Sequence, residues 1–330
     1  ESFKNQNLEF CSLNLFEPDI PTDDKEIHLI EFNKRLEEVL DLKQFDIIHA
    51  HYWMSGLIAK DISKKYNIPY IFTSHSLGVF LDGYNKERAD CEKIVMSSSK
   101  FVTASTNYEE TLISESYQVD SQKIKQINPG VDYELFVADQ SIERENIFLS
   151  IGRIQQQKGQ LETLRFLNSF KEIETNFMCY FVGGPSGSSG EEYLLELKES
   201  VKELSLDSHV EFLGNLPQVD IRNLLNKAKL LIHTSQYETF GLVAIEANSM
   251  GVPVLTTNNG SMQEIIVNEE NGYLVDGLHY HNVNTSIKNL INNNQYFEEV
   301  MINCMHKSKD YRWENTVDRL LDLYQEAKFS

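Results

Sequence analysis

Two glutamates lie eight positions apart in the segment SQYETFGLVAIEANSMGVPVLTT (235–257), on either side of a Phe-Gly pair. Glu238 precedes a predicted helix, and Glu246 lies in the second turn of that helix among mostly apolar neighbours. Those neighbours make a simple surface carboxylate a poor explanation of Glu246. A carboxylate in this place can accept hydrogen bonds from vicinal hydroxyls such as those of a ribose. Because Glu238 can meet a sugar attached to the same ligand, the segment predicts a polyhydroxylated, anionic ligand.

Glycine at the start of this helix favours a phosphate group as the anion. Gly241 lets a ligand approach the backbone without a side chain in the way. The N–H groups of Gly241, Leu242 and Val243 can then face a diphosphate, since the first turn of a helix leaves its N–H groups unpaired. The helix is predicted to end at Gly251, with Pro253 beyond it.

An anionic ligand requires local cations, because the chain of 330 residues has a formal net charge of −20. That charge also makes general binding to nucleic acid or to anionic membranes unexpected. Arg153 and Lys158 in SIGRIQQQKG (150–159) supply two cations between the end of a predicted strand and the start of a helix. Such a place binds phosphate, although two solvated surface cations would give the same pattern.

The elements that must position these residues are two series of short apolar strands separated by helical patterns. Strands that are apolar on both faces and alternate with helices indicate parallel sheets covered on both sides, so the fold class is α/β with two doubly wound domains. The first series is predicted at 46–50, 69–74, 101–105 and 124–127. The second is predicted at 147–152, 178–183, 210–214, 230–235, 252–257 and 272–275.

A polar stretch without periodicity, 133–146, separates the two series. We therefore predict an N-terminal acceptor-side domain over 1–140, completed by a terminal helix in 311–330, and a C-terminal donor-binding domain over 141–310. Helical periodicity is clearest at 31–42 and 159–170. Each domain is expected to place its ligand loops at the carboxyl ends of its strands.

Composition agrees with a cytoplasmic protein. Hydrophobic residues make up 41% of the chain, yet no segment approaches the roughly 20 apolar residues of a membrane span. Four cysteines, widely separated and without a C-x-x-C pair, favour buried thiols in a reducing compartment.

Several motifs resemble the retaining GT-B glycosyltransferases of family 4, and they occur in the expected order along nearly the whole chain. ETFGLVAIEANSMGVPVLTT is similar to the Glu-(x)7-Glu segment of that family, and GRIQQQKG, NPGVDYELF and NGSMQEIIVNEENGYLV resemble its other signatures. HAHYWMSGLIA and TSHSLG are similar to motifs of the branch that contains sucrose-phosphate synthases and inositol-phosphate transferases. The resemblance implies two Rossmann-like domains facing across a cleft.

The resemblance also implies roles for the donor-side residues. Arg153 and Lys158, with Gly152 before them, match the segment that contacts the donor diphosphate and stabilises the leaving group. Glu246 matches the ribose-binding glutamate and Glu238 the glutamate beside the donor sugar. The backbone that wraps the sugar and phosphates corresponds to Phe240, Gly241, Leu242 and Val243.

On the opposite side, His75 in TSHSLG matches the histidine that faces the donor sugar; a core or capping histidine would look the same in sequence. Tyr52, Ser76 and Arg88 align with positions that hold the phosphate of a phosphorylated sugar or inositol in this branch. The alignment of Arg88 crosses a variable stretch, and a solvated arginine would also explain it.

The implied reaction moves a hexose from a nucleotide diphosphate sugar, with UDP as the expected nucleotide, to a hydroxyl of a sugar, a phosphorylated sugar or polyol, or a glycan. It proceeds with retention and without a metal or other cofactor. Two alternatives stay open: a catalytically silent nucleotide-sugar-binding subunit, and a GT-B epimerase or phosphorylase. The family's first strand and Gly-Gly loop are not found before EFCSLNLF (9–16). The first sheet is therefore expected to lack its first strands, and an unpaired strand edge of that kind recruits a strand from a second copy, as a homodimer, or from a partner chain.

Overall fold

The computed structural model describes residues 29–80, 86–277 and 280–329, together with a short antiparallel pair, β1 (Lys4–Asn5) and β2 (Leu8–Glu9). These residues form two compact units. The first unit comprises the described residues up to Ala104, Leu112–Lys125 and the chain from Leu321 onward. The second comprises Ser105–Thr111 and Gln126–Leu320.

The first unit contains a four-stranded sheet in the sequential order β3-β4-β5-β6. Its strands are β3 (Ile48–His51), β4 (Tyr70–Thr73), β5 (Phe101–Ala104) and β6 (Ile124–Gln126). The helices along residues 29–117 are α1 (Leu29–Val39), α2 (Trp53–Tyr66), α3 (Lys86–Ser98) and α4 (Asn107–Tyr117), and the first five residues of α4 belong to the second unit. β3, β4 and β5 pair in parallel, so their carboxyl ends lie at one edge of the sheet.

The second unit contains a six-stranded parallel sheet in the order β12-β11-β10-β7-β8-β9. Its strands are β7 (Ile147–Ile151), β8 (Met178–Val182), β9 (Val210–Gly214), β10 (Leu230–His233), β11 (Val254–Thr257) and β12 (Gly272–Val275). Counted from β7, this is the doubly wound order 3-2-1-4-5-6. The order reverses between β7 and β10, so the loops that follow these two neighbouring strands diverge.

Successive strand residues point to opposite faces of this sheet, and both faces are buried in a hydrophobic core. Phe148 and Ile232 belong to one buried core, whereas Leu149 and Leu231 belong to the other. The helices that begin in this part of the chain are α5 (Gln160–Lys171), α6 (Gly190–Glu203), α7 (Gln218–Lys227), α8 (Leu242–Ser249), α9 (Met262–Ile265), α10 (His281–Asn292), α11 (Asn294–Ser308) and α12 (Trp313–Phe329).

The end of α12 packs within the first unit through side-chain contacts. The hydroxyl of Tyr324 lies 2.7 Å from Nδ1 of His49, and Lys328 forms an ion pair with Asp46 at 2.9 Å. Residues between β6 and β7 belong instead to the second unit, where Phe136 is buried. The contact-defined division therefore differs from a boundary at residue 140, which stays a prediction about separable domains.

The predicted α/β fold class with two parallel sheets is confirmed, and each of the ten predicted strands is present with ends shifted by at most two residues. The helix predicted at 31–42 is Leu29–Val39, because the chain leaves it before Asp41, whose side chain accepts a bond from the N–H of Lys43 in a short turn. Among the described residues, no helix is both long and apolar enough to cross a membrane.

Three of the four cysteines lie in the described chain. Cys179 and Cys304 are fully buried, and Cys91 is half-buried. Burial raises the pKa of both fully buried thiols well above its usual value, which keeps them protonated and unreactive. Cys11 lies outside the described residues.

Candidate active site

The donor-side residues predicted from the sequence lie at the point where the order of the second sheet reverses. Gly152, Arg153 and Lys158 follow β7, and the segment from Glu238 to Glu246 follows β10. β7 and β10 are hydrogen-bonded neighbours. In open α/β sheets, ligands bind outside the carboxyl ends of the strands at such a reversal. The topology therefore brings the two predicted halves of one site together.

Backbone and hydroxyl contacts join the loops that follow β7 and β10. The N–H of Gln236 donates to the carbonyl of Gln157 at 2.8 Å, and Oγ1 of Thr234 donates to the carbonyl of Gly159 at 2.7 Å. Gly159 has φ +67°, and a Cβ there would lie 2.0 Å from the carbonyl oxygen of Thr234. Only glycine fits this approach, so Gly159 fixes the separation of the loops that carry Lys158 and Glu238.

Glu238 holds two basic side chains at one carboxylate oxygen. Nζ of Lys158 donates to Oε2 of Glu238 at 2.9 Å. Nε2 of His233 lies 3.3 Å from the same oxygen, without the alignment of a hydrogen bond. Burial alone would raise the pKa of Glu238, but His233 and Lys158 outweigh it and lower that pKa to about 2. The carboxylate is therefore an anion throughout the neutral pH range.

His233 was missed by reasoning from the sequence. It is the last residue of β10 and only 6% exposed, although the strand is otherwise apolar. A titratable residue that ends a buried strand beside a predicted ligand loop was the available signal. Its contact with Glu238 could not be predicted, since it depends on how the loop 234–241 folds back.

Hydroxyl groups hold the backbone of the Glu238 loop in place. The buried side chain of Ser261 donates to the carbonyls of Glu238 at 2.8 Å and Phe240 at 3.3 Å. The hydroxyls of Ser105 and Thr106 both donate, at 3.0 Å, to the carbonyl of Thr239, the residue between Glu238 and Phe240. Because these donors fix consecutive carbonyls, the N–H groups that follow are oriented before any ligand arrives.

Those N–H groups begin α8. Gly241 has φ +88°, and a Cβ there would lie 2.2 Å from Cε of Met262. Leu242 and Val243 occupy the first turn, where N–H groups have no partner within the helix. Phe240 is buried, with the centre of its ring 5.5 Å from that of Tyr311, and this contact packs the turn before α8 against the core. The start of α8 therefore has the geometry of an anion-binding helix terminus.

Glu246 lies one turn further along α8 and is half-buried. Burial raises the pKa of its carboxyl to about 7. Across the described part of the chain, no hydrogen bond or ion pair is found for this carboxylate. It thus carries an unused acceptor capacity that hydroxyl groups of a ligand can fill.

Arg153 is exposed, while its carbonyl accepts a 2.8 Å bond from the side chain of Gln160. This bond orients the loop without restricting the guanidinium. Lys158 and Arg153 therefore differ: the first is already paired with Glu238, and the second extends into solvent.

Three residues predicted for the acceptor side lie together in the first unit. Nη2 of Arg88 donates to Oγ of Ser76 at 2.8 Å and to its carbonyl at 2.9 Å. The guanidinium lies 5.0 Å from the centre of the Tyr52 ring. Nε of Arg88 donates to the buried carboxylate of Glu92 at 2.7 Å. Arg88 is thus a buried, paired cation rather than a solvated one.

His75 belongs to a row of histidines at the carboxyl ends of β3 and β4. Nδ1 of His51 lies 2.8 Å from Nε2 of His75, and the rings of His51 and His49 stack at 4.2 Å. Burial, with the nearby His51 and His75, lowers the pKa of His49 to about 3, and burial and His75 also lower the pKa of His51. These two rings are therefore neutral at pH 7.

The fold and this site define a GT-B protein with two parallel sheets, and comparison with known proteins places it more closely. A model of the family "Glycosyl transferases group 1" matches residues 133–304, and one of "Glycosyltransferase Family 4" matches residues 8–135. The chain belongs to the group 1 glycosyltransferases of family 4, which transfer a sugar from a nucleotide sugar.

Curated relatives and solved structures agree with this assignment. A D-inositol 3-phosphate glycosyltransferase of Corynebacterium urealyticum is 29% identical over 303 residues, covering 85% of this chain and 71% of that protein. The sucrose-phosphate synthase of Thermosynechococcus elongatus superposes with a TM-score of 0.81 at 23% identity, covering 93% and 80%. Anabaena HepE in complex with UDP-glucose gives 0.78 at 18% identity, covering 90% and 82%.

Proposed function

We propose that this chain is a retaining hexosyltransferase that uses a UDP-sugar and delivers the sugar to a hydroxyl of a phosphorylated sugar or polyol. The observation that carries the proposal is the Lys158–Glu238 pair beside the start of α8, at the reversal of a doubly wound sheet. The cation and the N–H groups of the first turn of α8 suit the diphosphate, and the carboxylate suits the hydroxyl groups of the attached sugar.

The phosphates are assigned to the start of α8 and to the two cations. Leu242 and Val243 offer N–H groups to the diphosphate, and Lys158 and Arg153 add positive charge. Charge develops on the leaving diphosphate as the glycosidic bond breaks, and groups fixed in advance stabilise that charge most strongly. We assign neutralisation of the leaving group to these groups and not to a metal ion.

The ribose and the sugar are assigned to the two glutamates. The carboxylate of Glu246, which has no partner among the described residues, accepts bonds from the ribose hydroxyls, and Glu238 contacts hydroxyls of the transferred hexose. Attack by the acceptor on the same face as the leaving group gives retention. In that step the acceptor oxygen forms the new bond to C1, the C1–phosphate bond breaks, and the acceptor proton passes to the departing phosphate oxygen.

The acceptor is assigned from the first unit and from the relatives. Arg88, Ser76 and Tyr52 group a guanidinium, a hydroxyl and a phenol, a set suited to a phosphate. Relatives named for inositol 3-phosphate and for sucrose phosphate support a phosphorylated acceptor or product. Glu92 already pairs with Arg88, so an acceptor phosphate would share that guanidinium rather than find it unoccupied.

A donor and acceptor screen tests the proposal. UDP-, GDP- and ADP-hexoses are incubated with inositol phosphates and hexose phosphates in the presence of EDTA, and released nucleotide and product anomer are measured. We expect UDP release that requires a phosphorylated acceptor and a product with the anomeric configuration of the donor. An inverted product contradicts retention, and loss of activity in EDTA contradicts metal independence. Nucleotide binding without transfer under any condition supports the alternative of a silent binding subunit.

A further inference from the structure

The pairing of Lys158 with Glu238 raises a problem for anion binding. The ammonium that is assigned to the diphosphate already donates to the carboxylate of Glu238, and the two side chains are 24% and 15% exposed. A bound diphosphate would place two or more negative charges near that carboxylate. Removing one partner from an ion pair that is largely shielded from solvent leaves a poorly compensated charge, which is unfavourable. Another cation is therefore needed at Glu238 when Lys158 turns to the phosphates.

His233 is in position to become that cation. Its Nε2 lies 3.3 Å from the carboxylate oxygen that Lys158 contacts, and it is buried without a hydrogen-bond partner in the described structure. Imidazole is the side chain that changes charge most readily near neutral pH. Nearby negative charge favours its protonated form. A diphosphate arriving beside Glu238 increases that negative charge.

We propose that His233 takes up a proton from solvent when a nucleotide diphosphate binds, and then holds Glu238 in place of Lys158. Lys158 thereby becomes available to the phosphates, while Glu238 stays ionised and oriented for the sugar. His233 is a positioning residue in this scheme, because it acts on the ligand through Glu238. The inference rests on the proposed function, since it requires a nucleotide diphosphate in this site.

Proton uptake by His233 must be distinguished from proton exchange at the other titratable groups near it. Glu238 and Lys158 face it directly, and its cross-strand neighbour on β11, Thr256, does not titrate. The helices of the sheet face that carries His233 bear further charged side chains: Glu246 on α8, Glu264 on α9, and Asp220, Arg222 and Lys227 on α7. Glu264 is engaged by the backbone of Asn107 and Tyr108.

Glu246 is the main competing contributor. Burial raises its pKa to about 7, and hydroxyl groups donating to its carboxylate would favour the ionised form. Nucleotide binding therefore releases protons at Glu246 and takes them up at His233. A comparison of variants that share Glu246 isolates the contribution of His233.

The experiment measures proton uptake on binding of UDP to the full chain and to His233→Gln. Glutamine keeps an N–H donor near Glu238 but cannot be protonated. Calorimetry at pH 7.5 in buffers of different ionisation enthalpy gives the number of protons exchanged per UDP. We expect the unsubstituted chain to take up more protons than H233Q, by up to one. The affinity of the unsubstituted chain for UDP should also fall by up to tenfold more than that of H233Q for each unit rise in pH.

Equal proton counts in two chains that both bind UDP overturn the inference and leave the proposed function standing. Failure of the unsubstituted chain to bind UDP, GDP or ADP rejects the proposed function, and the inference with it. Proton titration of UDP itself, and of Glu246, is common to both chains and cancels in the difference.

Glu238→Gln gives a second test if H233Q does not fold. Without the anion, Lys158 is already available and His233 has nothing to neutralise. We expect E238Q to bind UDP with fewer protons taken up than the unsubstituted chain. An unchanged proton count in E238Q would place the uptake elsewhere and overturn the inference.

Discussion

The carboxyl ends of the two parallel sheets carry titratable side chains that differ in charge at neutral pH: a charged carboxylate in one sheet and neutral imidazoles in the other. At β7 and β10, Lys158 and His233 hold Glu238 as an anion, with its pKa lowered to about 2 despite burial. At β3 and β4, His49 and His51 lie in a row with His75, and burial and mutual repulsion lower the pKa values of the first two. One sheet ends in an ion pair, and the other carries two rings, His49 and His51, that are neutral at pH 7.

The difference follows from what surrounds each group. A carboxylate can stay charged in a buried place when cations and hydrogen-bond donors compensate it. His49 and His51 lie beside other imidazoles, and the repulsion between their protons lowers the pKa values of both rings. His49 is instead held by neutral partners, the hydroxyls of Tyr324 and Thr73 at 2.7 and 2.8 Å. The first arrangement keeps a carboxylate charged, whereas the second keeps the imidazoles of His49 and His51 neutral.

The largest expected effect is that of Lys158→Ala. The substitution removes the cation that we propose stabilises the leaving group, and it leaves the Glu238 carboxylate with less compensation. We expect kcat to fall by about 10³-fold, equivalent to about 4 kcal/mol of transition-state stabilisation. Released UDP under saturating donor and acceptor measures it.

Lys198→Ala is the matched control, because Lys198 is an exposed residue of α6. It should retain the activity of the unsubstituted chain. A loss smaller than tenfold in K158A would contradict the electrostatic role given to the ion pair.

A smaller effect, on the free energy of unfolding at low pH, is expected from His49. The folded pKa of His49 is about 3, below the ordinary value of 6.5. As the pH falls below 6.5, the unfolded chain takes up a proton that the folded chain does not, so stability is lost progressively towards pH 3. Between pH 7 and 4.5 the loss assigned to His49 is about 3 kcal/mol. His49→Gln should remove this part of the acid sensitivity.

Amide hydrogen exchange of β3 and β4 at the two pH values reports the opening of this sheet. His281→Gln, at the exposed start of α10, serves as the control and should keep the acid sensitivity of the unsubstituted chain. Equal acid sensitivity in H49Q and the unsubstituted chain would show that burial does not hold this ring neutral.

The contrast also shows which features could be predicted from the sequence. The strands were predictable because short apolar runs bounded by turns have few other folds available, and their alternation with helices fixed the parallel arrangement. The Lys158 and Glu238 loops could be matched by motif, and the observed order of the sheet makes them neighbours. Their roles in binding and catalysis stay predictions.

Side-chain partners could not be predicted in the same way. His233 and Ser261 reach the Glu238 loop only because the chain turns back after β10, and nothing in local periodicity encodes that path. Arg88 and Glu92 lie four residues apart on α3, so helical spacing could have indicated their pairing, whereas their burial could not be predicted locally. At the Glu238 loop, local patterns determine the helices and strands, whereas a contact between distant parts of the sequence, that of Lys158 with Glu238, determines the electrostatics.

The smallest expected effect concerns the glycine before α8. Gly241 and Gly214 both have a positive φ, +88° and +69°, but a Cβ would lie 2.2 Å from Met262 only at Gly241 and would meet no atom within 4 Å at Gly214. Alanine at Gly214 should therefore cost about 1 kcal/mol for the left-handed backbone alone. Gly241→Ala should cost about 1 kcal/mol more, because Cε of Met262 must move within a packed core.

Thermal unfolding and UDP affinity measured together separate the two costs. G241A should also weaken UDP binding by roughly tenfold, since a displaced first turn misdirects the N–H groups of Leu242 and Val243, whereas G214A should leave the affinity unchanged. Met262→Leu, which shortens the opposing side chain, should restore part of the stability in the G241A background. Equal losses of stability and of UDP affinity in G241A and G214A would show that the close packing of Met262 against Gly241 does not orient the N–H groups at the start of α8.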